Sequence, residues 1–355
     1  MRPAWLEIDL NAVRYNTELI QELVGPDTLQ ASIVKGNGYG HGAVPVSRAC
    51  VEAGAAMLCV AIADEGVELR DAGIAAPVLV LGPPDREEAE VYVARDIIST
   101  VSAIEHAQML ADAAERLGGT AKLHIKLDSG MGRHGARADI VEDLAALVAG
   151  QPRLKGDGIY SHFSSSCSVD LSPSQEQLAN FNQMLPGVLR HVGGDDPKLH
   201  LANSGAIVRM TDTRFDYVRP GAILYGLNPG FDDNLMPDFR PALALKAKLA
   251  TVKRIEAGAP VGYNCAWRAE RDTTLAVLPM GYVDGYTREL SNNADVLVGG
   301  RRCPLVGMVS MDAITVDVTD VVDAKVGDEA VLIGPQGDER ITVEQVSRRT
   351  GTIVE

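Results

Sequence analysis

The feature that most constrains this chain is an alternation. Eight short apolar runs, at 31–34, 57–61, 78–81, 97–100, 122–127, 155–160, 198–201 and 215–218, are separated by helix-patterned segments. Val13, Leu19, Ile20, Leu23 and Val24 recur near helical spacing and stop at Gly25-Pro26. Ser172-Pro173 reads as an N-cap and first turn ahead of Leu178, Phe181 and Leu185. Ile140, Val141, Leu144, Leu147 and Val148 form a further apolar stripe. Eight βα repeats over about 230 residues match the size of a (β/α)8 TIM-like barrel, expected over residues 1–239. An open doubly wound sheet is the alternative that strand counting leaves open.

After about residue 240 the pattern changes. Runs at 243–255, 274–278, 294–298, 305–309, 314–318 and 330–333 are β-rich and divided by Gly, Asn and Asp. Alternation such as Thr315-Val316-Asp317-Val318 suggests antiparallel strands with one wet face. A mostly antiparallel β domain over 240–355 follows, and residues 1–10 are candidates to pair with it. A net charge of −15 argues against a phosphate-backbone binder, so no nucleic-acid partner is expected. No run of about 18 apolar residues exists, so no membrane partner is expected either. The N-terminus alternates apolar and acidic residues, unlike a signal peptide, and the expected location is the cytoplasm. Five scattered cysteines form no CxxC pair and read as free thiols, and no metal site is expected.

Lys35 ends an apolar run and opens the glycine-rich stretch Lys35-Gly36-Asn37-Gly38-Tyr39-Gly40-His41-Gly42. A primary amine at a barrel's C-terminal rim, with backbone amides and a tyrosine hydroxyl close by, suits a carbonyl cofactor that carries a phosphate. The plain alternative is a surface lysine ending a strand. The glycine spacing is wrong for a dinucleotide-binding loop. At the eighth run, Arg219-Pro220-Gly221-Ala222 places Pro220 as a first helical residue, with the Gly221 and Ala222 amides facing outward. Asn203-Ser204-Gly205 ends the seventh run and adds a hydroxyl, so the two segments read as a phosphate cradle or as ordinary βα turns. Lys126 and Arg133 flank the fifth strand's turn. Arg133 suits a substrate carboxylate, although spacing alone favours a rim salt bridge with Asp128. His162 is a hydrogen-bonded structural histidine or a proton relay. Tyr263 and Tyr282 sit among glycines and, by themselves, read as turn or packing residues.

Taken together, the motifs resemble the alanine racemase family over nearly the whole chain. Residues 35–42 are similar to its K-A-N-A-Y-G-H-G, and residues 126–133 match K-x-D-x-G-M-x-R. Residues 219–226 match R-P-G-x-x-x-Y-G, residues 281–286 match G-Y-A-D-G-Y, and Met311-Asp312 matches an M-D pair. The resemblance implies a homodimeric isomerase dependent on pyridoxal 5′-phosphate. It would interconvert L- and D-alanine by two-base proton transfer and supply D-alanine for peptidoglycan. Lys35 would bind the cofactor and act as one base, with Tyr263 from the partner subunit as the other. Tyr39, Ser204, Gly221 and Ala222 would hold the phosphate, and Asn203 would support them. Arg219 would face the pyridine nitrogen, with His162 linking it toward Tyr263. Arg133 and the Met311 backbone would meet the substrate carboxylate. Lys126 matches a lysine often carbamylated, and Tyr282 would line the entry.

Departures from the family pattern bear on cofactor affinity and substrate range. Gly36 and Gly38 replace alanines, which should loosen the turn by up to about 1 kcal/mol each where the backbone is unstrained. Gly262-Tyr263-Asn264 replaces S-Y-G, and Ser310 stands where cysteine is common. The family continues past T-I-N-Y-E with a phosphate-contacting tyrosine. Here Thr352-Ile353-Val354-Glu355 ends the sequence, and Glu355 near that position would repel phosphate. A serine-preferring or broader racemase is the nearest alternative. A non-catalytic pyridoxal-phosphate-binding barrel would lack the β domain, and a metal-dependent hydrolase would need an HxH pair that is absent.

Overall fold

In the computed structural model, residues 3–192, 196–230 and 233–354 are described, and Glu355 lies outside them. The chain divides into two units. One is Leu10–Pro241, and the other joins residues up to Asp9 with Ala242–Val354.

The first strand, β1 (Ala4–Ile8), belongs to the second unit. The eight strands of the first unit are β2 (Leu29–Ile33), β3 (Met57–Val60), β4 (Val78–Val80), β5 (Ser99–Val101), β6 (Ala121–Lys126), β7 (Leu154–Tyr160), β8 (Lys198–Asn203) and β9 (Tyr217–Arg219). They form one sheet in the order β4-β3-β2-β9-β8-β7-β6-β5, with every described pair parallel. A parallel bridge from Leu79 to Ile98, with Val80 N donating to Ile98 O at 2.9 Å, joins the two ends. The sheet is therefore a closed barrel and not an open doubly wound sheet. Closure removes edges, and parallel strands buried on both faces explain the unbroken apolar runs in the sequence.

Strands β2 to β8 are each followed by a helix, and the helix Leu10–Val24 precedes β2. Val13 and Ile20, Val46 and Ala49, Leu110 and Ala113, Leu144 and Val148, and Phe181 and Val188 are buried on those helices. The apolar stripes read from the sequence are these core-facing sides. Asn16, on the helix Leu10–Val24, is fully buried. Its amide donates to Leu224 O at 3.0 Å and Arg240 O at 2.8 Å, and its carbonyl accepts from Arg240 N at 2.8 Å. A single side chain thus fixes the segment that follows β9.

The second unit is antiparallel throughout its described pairs. It adds β10 (Leu243–Lys248), β11 (Thr251–Ile255), β12 (Pro260–Val261), β13 (Trp267–Arg268), β14 (Thr273–Leu278), β15 (Asp295–Val298), β16 (Arg301–Pro304), β17 (Ile314–Asp317), β18 (Glu329–Gln336) and β19 (Glu339–Ile341). One sheet runs β1-β10-β18-β15-β16 with β19 on β18, a second runs β11-β14-β17, and β12 pairs β13. Ala247, Leu278, Val296, Val316 and Leu332 lie in the core shared by these strands.

Two expected runs differ. The run at 243–255 breaks because Leu249 N pairs with Asp328 O while Ala250 N turns to Val277 O, so the chain changes sheets. In the run at 305–309, Leu305 makes an isolated bridge to Val316. Gly307 then turns at φ +85°, its amide goes to Asn292 Oδ1 at 2.6 Å, and Val309 N goes to Ser291 Oγ at 3.0 Å.

An Asn16→Ala variant leaves the buried Leu224 carbonyl and the part-buried Arg240 carbonyl and amide without that partner, and an orphaned buried group costs about 1–3 kcal/mol. The barrel's urea midpoint should fall by an amount equal to about 3 kcal/mol at unchanged m. A change below about 0.5 kcal/mol would contradict the clasp.

Candidate active site

Around a cavity of about 490 Å³ in the barrel unit the structure gathers Lys35, Tyr39, Lys126, Arg133, His162, Asn203, Ser204, Arg219, Gly221 and Ala222. Most lie at or just past the C-terminal ends of barrel strands, where βα loops converge. Four of the lining residues are Lys or Arg and none is Asp or Glu, in a chain of net charge −15. Such a cavity favours an anionic ligand.

Lys35 begins a five-residue turn, Lys35–Tyr39, with an unusual backbone. Gly36, Asn37, Gly38, Tyr39 and Gly40 all have positive φ, from +53° to +79°. The turn is left-handed. Glycine carries no penalty there, whereas a Cβ costs roughly 1–2 kcal/mol per residue. The loosening expected from Gly36 and Gly38 is therefore overturned, because glycine is the residue that fits. Asn37 Oδ1 accepts from Ala43 N at 2.9 Å, which secures the turn's exit. Tyr39 bears its strain under a stacked Tyr225 ring 5.0 Å away, and Tyr225 Oη donates to Ile33 O at 2.9 Å.

That stack directs Tyr39 toward Gly221. A Cβ built on Gly221 would meet Tyr39 Oη at 3.0 Å and Ser204 Oγ at 3.7 Å. Gly221 N donates to Ser204 Oγ at 2.9 Å. Asn203 caps the helix Ser204–Arg209 by accepting from Ala206 N, and it also accepts from Ser166 Oγ at 2.6 Å. The helix expected from Pro220 is one 3₁₀ turn, Ala222–Tyr225. An anion here would meet two hydroxyls and local amides, and a four-residue turn adds little dipole.

Arg219 is buried, and among the described residues its hydrogen-bond partners are carbonyls and imidazoles. Nη2 donates to Ser161 O at 2.6 Å, Leu201 O at 3.1 Å and His162 Nδ1 at 3.3 Å. Nη1 donates to His200 Nδ1 at 2.8 Å. A guanidinium has no acceptor, so His200 Nδ1 must accept and its Nε2 must carry the proton. That proton is donated to His124 Nδ1, 2.8 Å away, and Tyr160 stacks on His200. Burial, with Arg219 adding to it, depresses all three imidazoles: His162 and His200 well below the usual range, His124 to about 3.

Lys126 is buried over the Tyr160 ring, and its pKa is lowered to about 7. Desolvation is the main cause, followed by the charges of Arg219, Arg133 and Lys35, with Asp128 opposing. Arg133 is exposed on its loop. The rim salt bridge favoured by spacing does not form, because Asp128 Oδ1 accepts the amides of Gly130, Met131 and Gly132, each at 3.0 Å. This Asx turn shapes the loop that presents Arg133.

Tyr263, Tyr282 and Met311 belong to the β unit, where they are 66%, 40% and 56% exposed. Their loops are locked together. Tyr282 N donates to Ser310 O and Val283 N to Met311 O, while a Cβ on Gly262 would meet Met308 N at 3.2 Å.

Sequence reasoning missed His200, His124, Glu65 and the serine wall of Ser164, Ser165, Ser166 and Ser168. His200 and His124 lay inside recognised runs, where an imidazole among apolar residues is the available signal. Glu65 accepts from Gly36 N at 2.6 Å and Ala61 N at 2.7 Å, across a separation of 29 residues that no local motif reports.

Comparison with known proteins agrees with this arrangement. The family model described as alanine racemase, N-terminal domain, matches residues 8–229, and that of the C-terminal domain matches 242–355. The chain is 40% identical over 352 residues to the alanine racemase of Halothermothrix orenii, covering 99% of this chain and 93% of that protein. It is 41% identical to that of Desulfovibrio desulfuricans, with 99% and 94% covered. Among solved structures, the Bacillus anthracis alanine racemase with bound L-Ala-P superposes with a TM-score of 0.93 at 36% identity, covering 100% of this chain and 91% of that one. A histidine racemase from Leuconostoc mesenteroides superposes with a TM-score of 0.88 at 28% identity, covering 99% and 94%.

Two measurements test the geometry. Gly38→Ala should destabilise the barrel by about 1 kcal/mol through backbone strain, since its Cβ would meet Ala43 at an ordinary 3.4 Å. A stabilised variant in urea unfolding would contradict the left-handed turn. His124 binds a proton near 6.5 when unfolded and near 3 when folded. Its stability contribution is therefore lost as pH falls through that window, by about 2 kcal/mol at pH 5. A His124→Gln variant should show a flatter fall in urea midpoint between pH 7 and pH 5. An unchanged slope would contradict the neutral buried imidazole.

Proposed function

The chain belongs to the alanine racemase family, pyridoxal-5′-phosphate-dependent isomerases of amino acids, and on that premise we propose that it interconverts L- and D-alanine through a Lys35/Tyr263 base pair. The observation that carries the reading is a cavity whose described lining residues include two lysines, two arginines and no carboxylate, in which an amine, a phosphate-sized cradle and a buried guanidinium face one space. When bound, the cofactor lowers the barrier to losing the substrate's Cα proton. Tyr39, Ser204, Gly221 and Ala222 hold the phosphate, with Asn203 bracing Ser204. Lys35 would anchor the cofactor and would hold or deliver a proton on one face of the substrate.

Inversion requires a second base on the other face. Tyr263 fills that role from a second copy of the chain. Its exposure, with that of Tyr282 and Met311, leaves an aromatic and apolar surface suited to an interface. His162 links Arg219 toward Tyr263. Arg219 keeps its own protons, and a cofactor ring nitrogen held beside it would be disfavoured from taking one, because two adjacent cations repel.

Arg133 and the Met311 backbone orient the substrate carboxylate, and Tyr282 lines the entry. Lys126 is suited to carbamylation. An amine lowered to about 7 is about half uncharged at neutral pH and so open to carbon dioxide; the carbamate would form with release of a proton and bring a negative charge among Arg133, Arg219 and Lys35. The product in this reading is D-alanine for peptidoglycan, made in the cytoplasm by a homodimer. A serine-preferring or broader racemase is the second reading. It is favoured by the hydroxyl wall at Ser164, Ser165, Ser166 and Ser168 and by a fold that also serves a histidine racemase.

Tyr263→Phe should keep bound cofactor yet slow racemisation in both directions by about 10²–10⁴. The measurement is solvent-deuterium exchange at Cα across a panel of L- and D-amino acids. Undiminished exchange with inversion would sink the two-base assignment, and fastest exchange with serine would favour the second reading.

A further inference from the structure

The helix Ser172–Val192 contributes nothing to the cavity lining, yet it holds two of the loops that do. Gln177 is 3% exposed on it. Its Oε1 accepts from Ser164 N and Ser164 Oγ, both at 2.9 Å, and its Nε2 donates to His162 O at 3.0 Å. Three residues on, and so on the same helix face, Asn180 Nδ2 donates to Ser129 O at 3.2 Å. Gln177 also packs under the neighbouring residue of that second loop, since a Cβ on Gly130 would meet its Cγ at 3.3 Å. Ser129 Oγ and Ser161 Oγ join the roots of the two loops at 2.8 Å.

From this we propose that Gln177 is a positioning residue for the substrate side of the cavity. It binds the loop bearing His162 and Ser164 to the loop bearing Arg133, so that the two move as one body. The inference rests on the racemase reading for its substrate, the carboxylate end of an amino acid. It does not rest on that reading for its geometry.

Chemistry explains why the residue is an amide. One end must accept from N–H and O–H, and the other must donate to a carbonyl. Glutamate has nearly the same shape but turns an oxygen toward His162 O. The phosphate side has contacts of its own among Tyr39, Ser204 and Gly221 and meets the 162–168 loop through Ser166 Oγ on Asn203 Oδ1, so disturbance at Gln177 should fall mainly on the opposite wall.

The test compares Gln177→Glu with Asn182→Asp, an exposed control on the same helix, in the full chain loaded with pyridoxal 5′-phosphate. Hydrogen exchange should rise together in 128–134 and 162–168 by about tenfold, with the rest of the barrel and the control unchanged. KM for alanine should rise by about tenfold while kcat changes less than about threefold. Cofactor affinity should stay within about twofold.

Faster exchange in 162–168 alone, or an unchanged KM, would overturn the proposal. Should Gln177→Glu fail to fold, Asn180→Ala removes one bond of the same grip. It should raise exchange in both loops and raise KM by a smaller factor, and an effect confined to 128–134 would refute the coupling. Coupled exchange in a protein that racemises no amino acid would leave the positioning role standing and remove the racemase reading instead.

Discussion

Arg219 is a cation buried at the centre of the barrel's catalytic end and paired to carbonyls and imidazoles. Much of the site follows from that placement. Its charge disfavours protons on His124, His162 and His200, and it helps to bring Lys126 down to about 7. Because a guanidinium can only donate, it also sets the tautomers of two imidazoles in series. The barrel can hold this cation because the strand ends of β7 and β8 turn carbonyls toward it. A buried, hydrogen-bonded cation in a cavity whose described lining residues include no carboxylate leaves charge to be balanced by whatever binds.

The barrel was legible because its signal is periodic and repeated. Eight runs of buried strand, with helical segments between them, leave few architectures that cover both faces of the sheet. The β unit was read less completely because short antiparallel strands give weak patterns. The run at 305–309 has the composition of a strand, yet a glycine and two side-chain acceptors draw its amides away. The helix Val343–Thr350 went unread even though Thr342 and Gln345 form a capping box, a signal present in the sequence.

At the site, residues carried by contiguous motifs could be found, whereas those acting across the fold could not. Lys35, Arg133 and Arg219 stand in local patterns. Gln177 acts on Ser164 13 residues away, Glu65 on Gly36 29 away, and His200 on Arg219 and His124 19 and 76 away, and only the three-dimensional arrangement gives them roles. The glycines at 36 and 38 show a different limit. Their identity was plain, but the sign of their effect depended on a backbone angle that composition does not encode.

The cavity's positive charge also has a kinetic side. At physiological ionic strength its field decays over about 8 Å, so its pull ends near the mouth. Farther out, an approaching dianion meets the field of a chain of net charge −15. Capture of a phosphate-bearing ligand is then a crossing from a repulsive outer field into an attractive inner one. Such a profile makes loading slow and sensitive to salt. It also makes loss slow, because a departing anion must first climb out of the inner well.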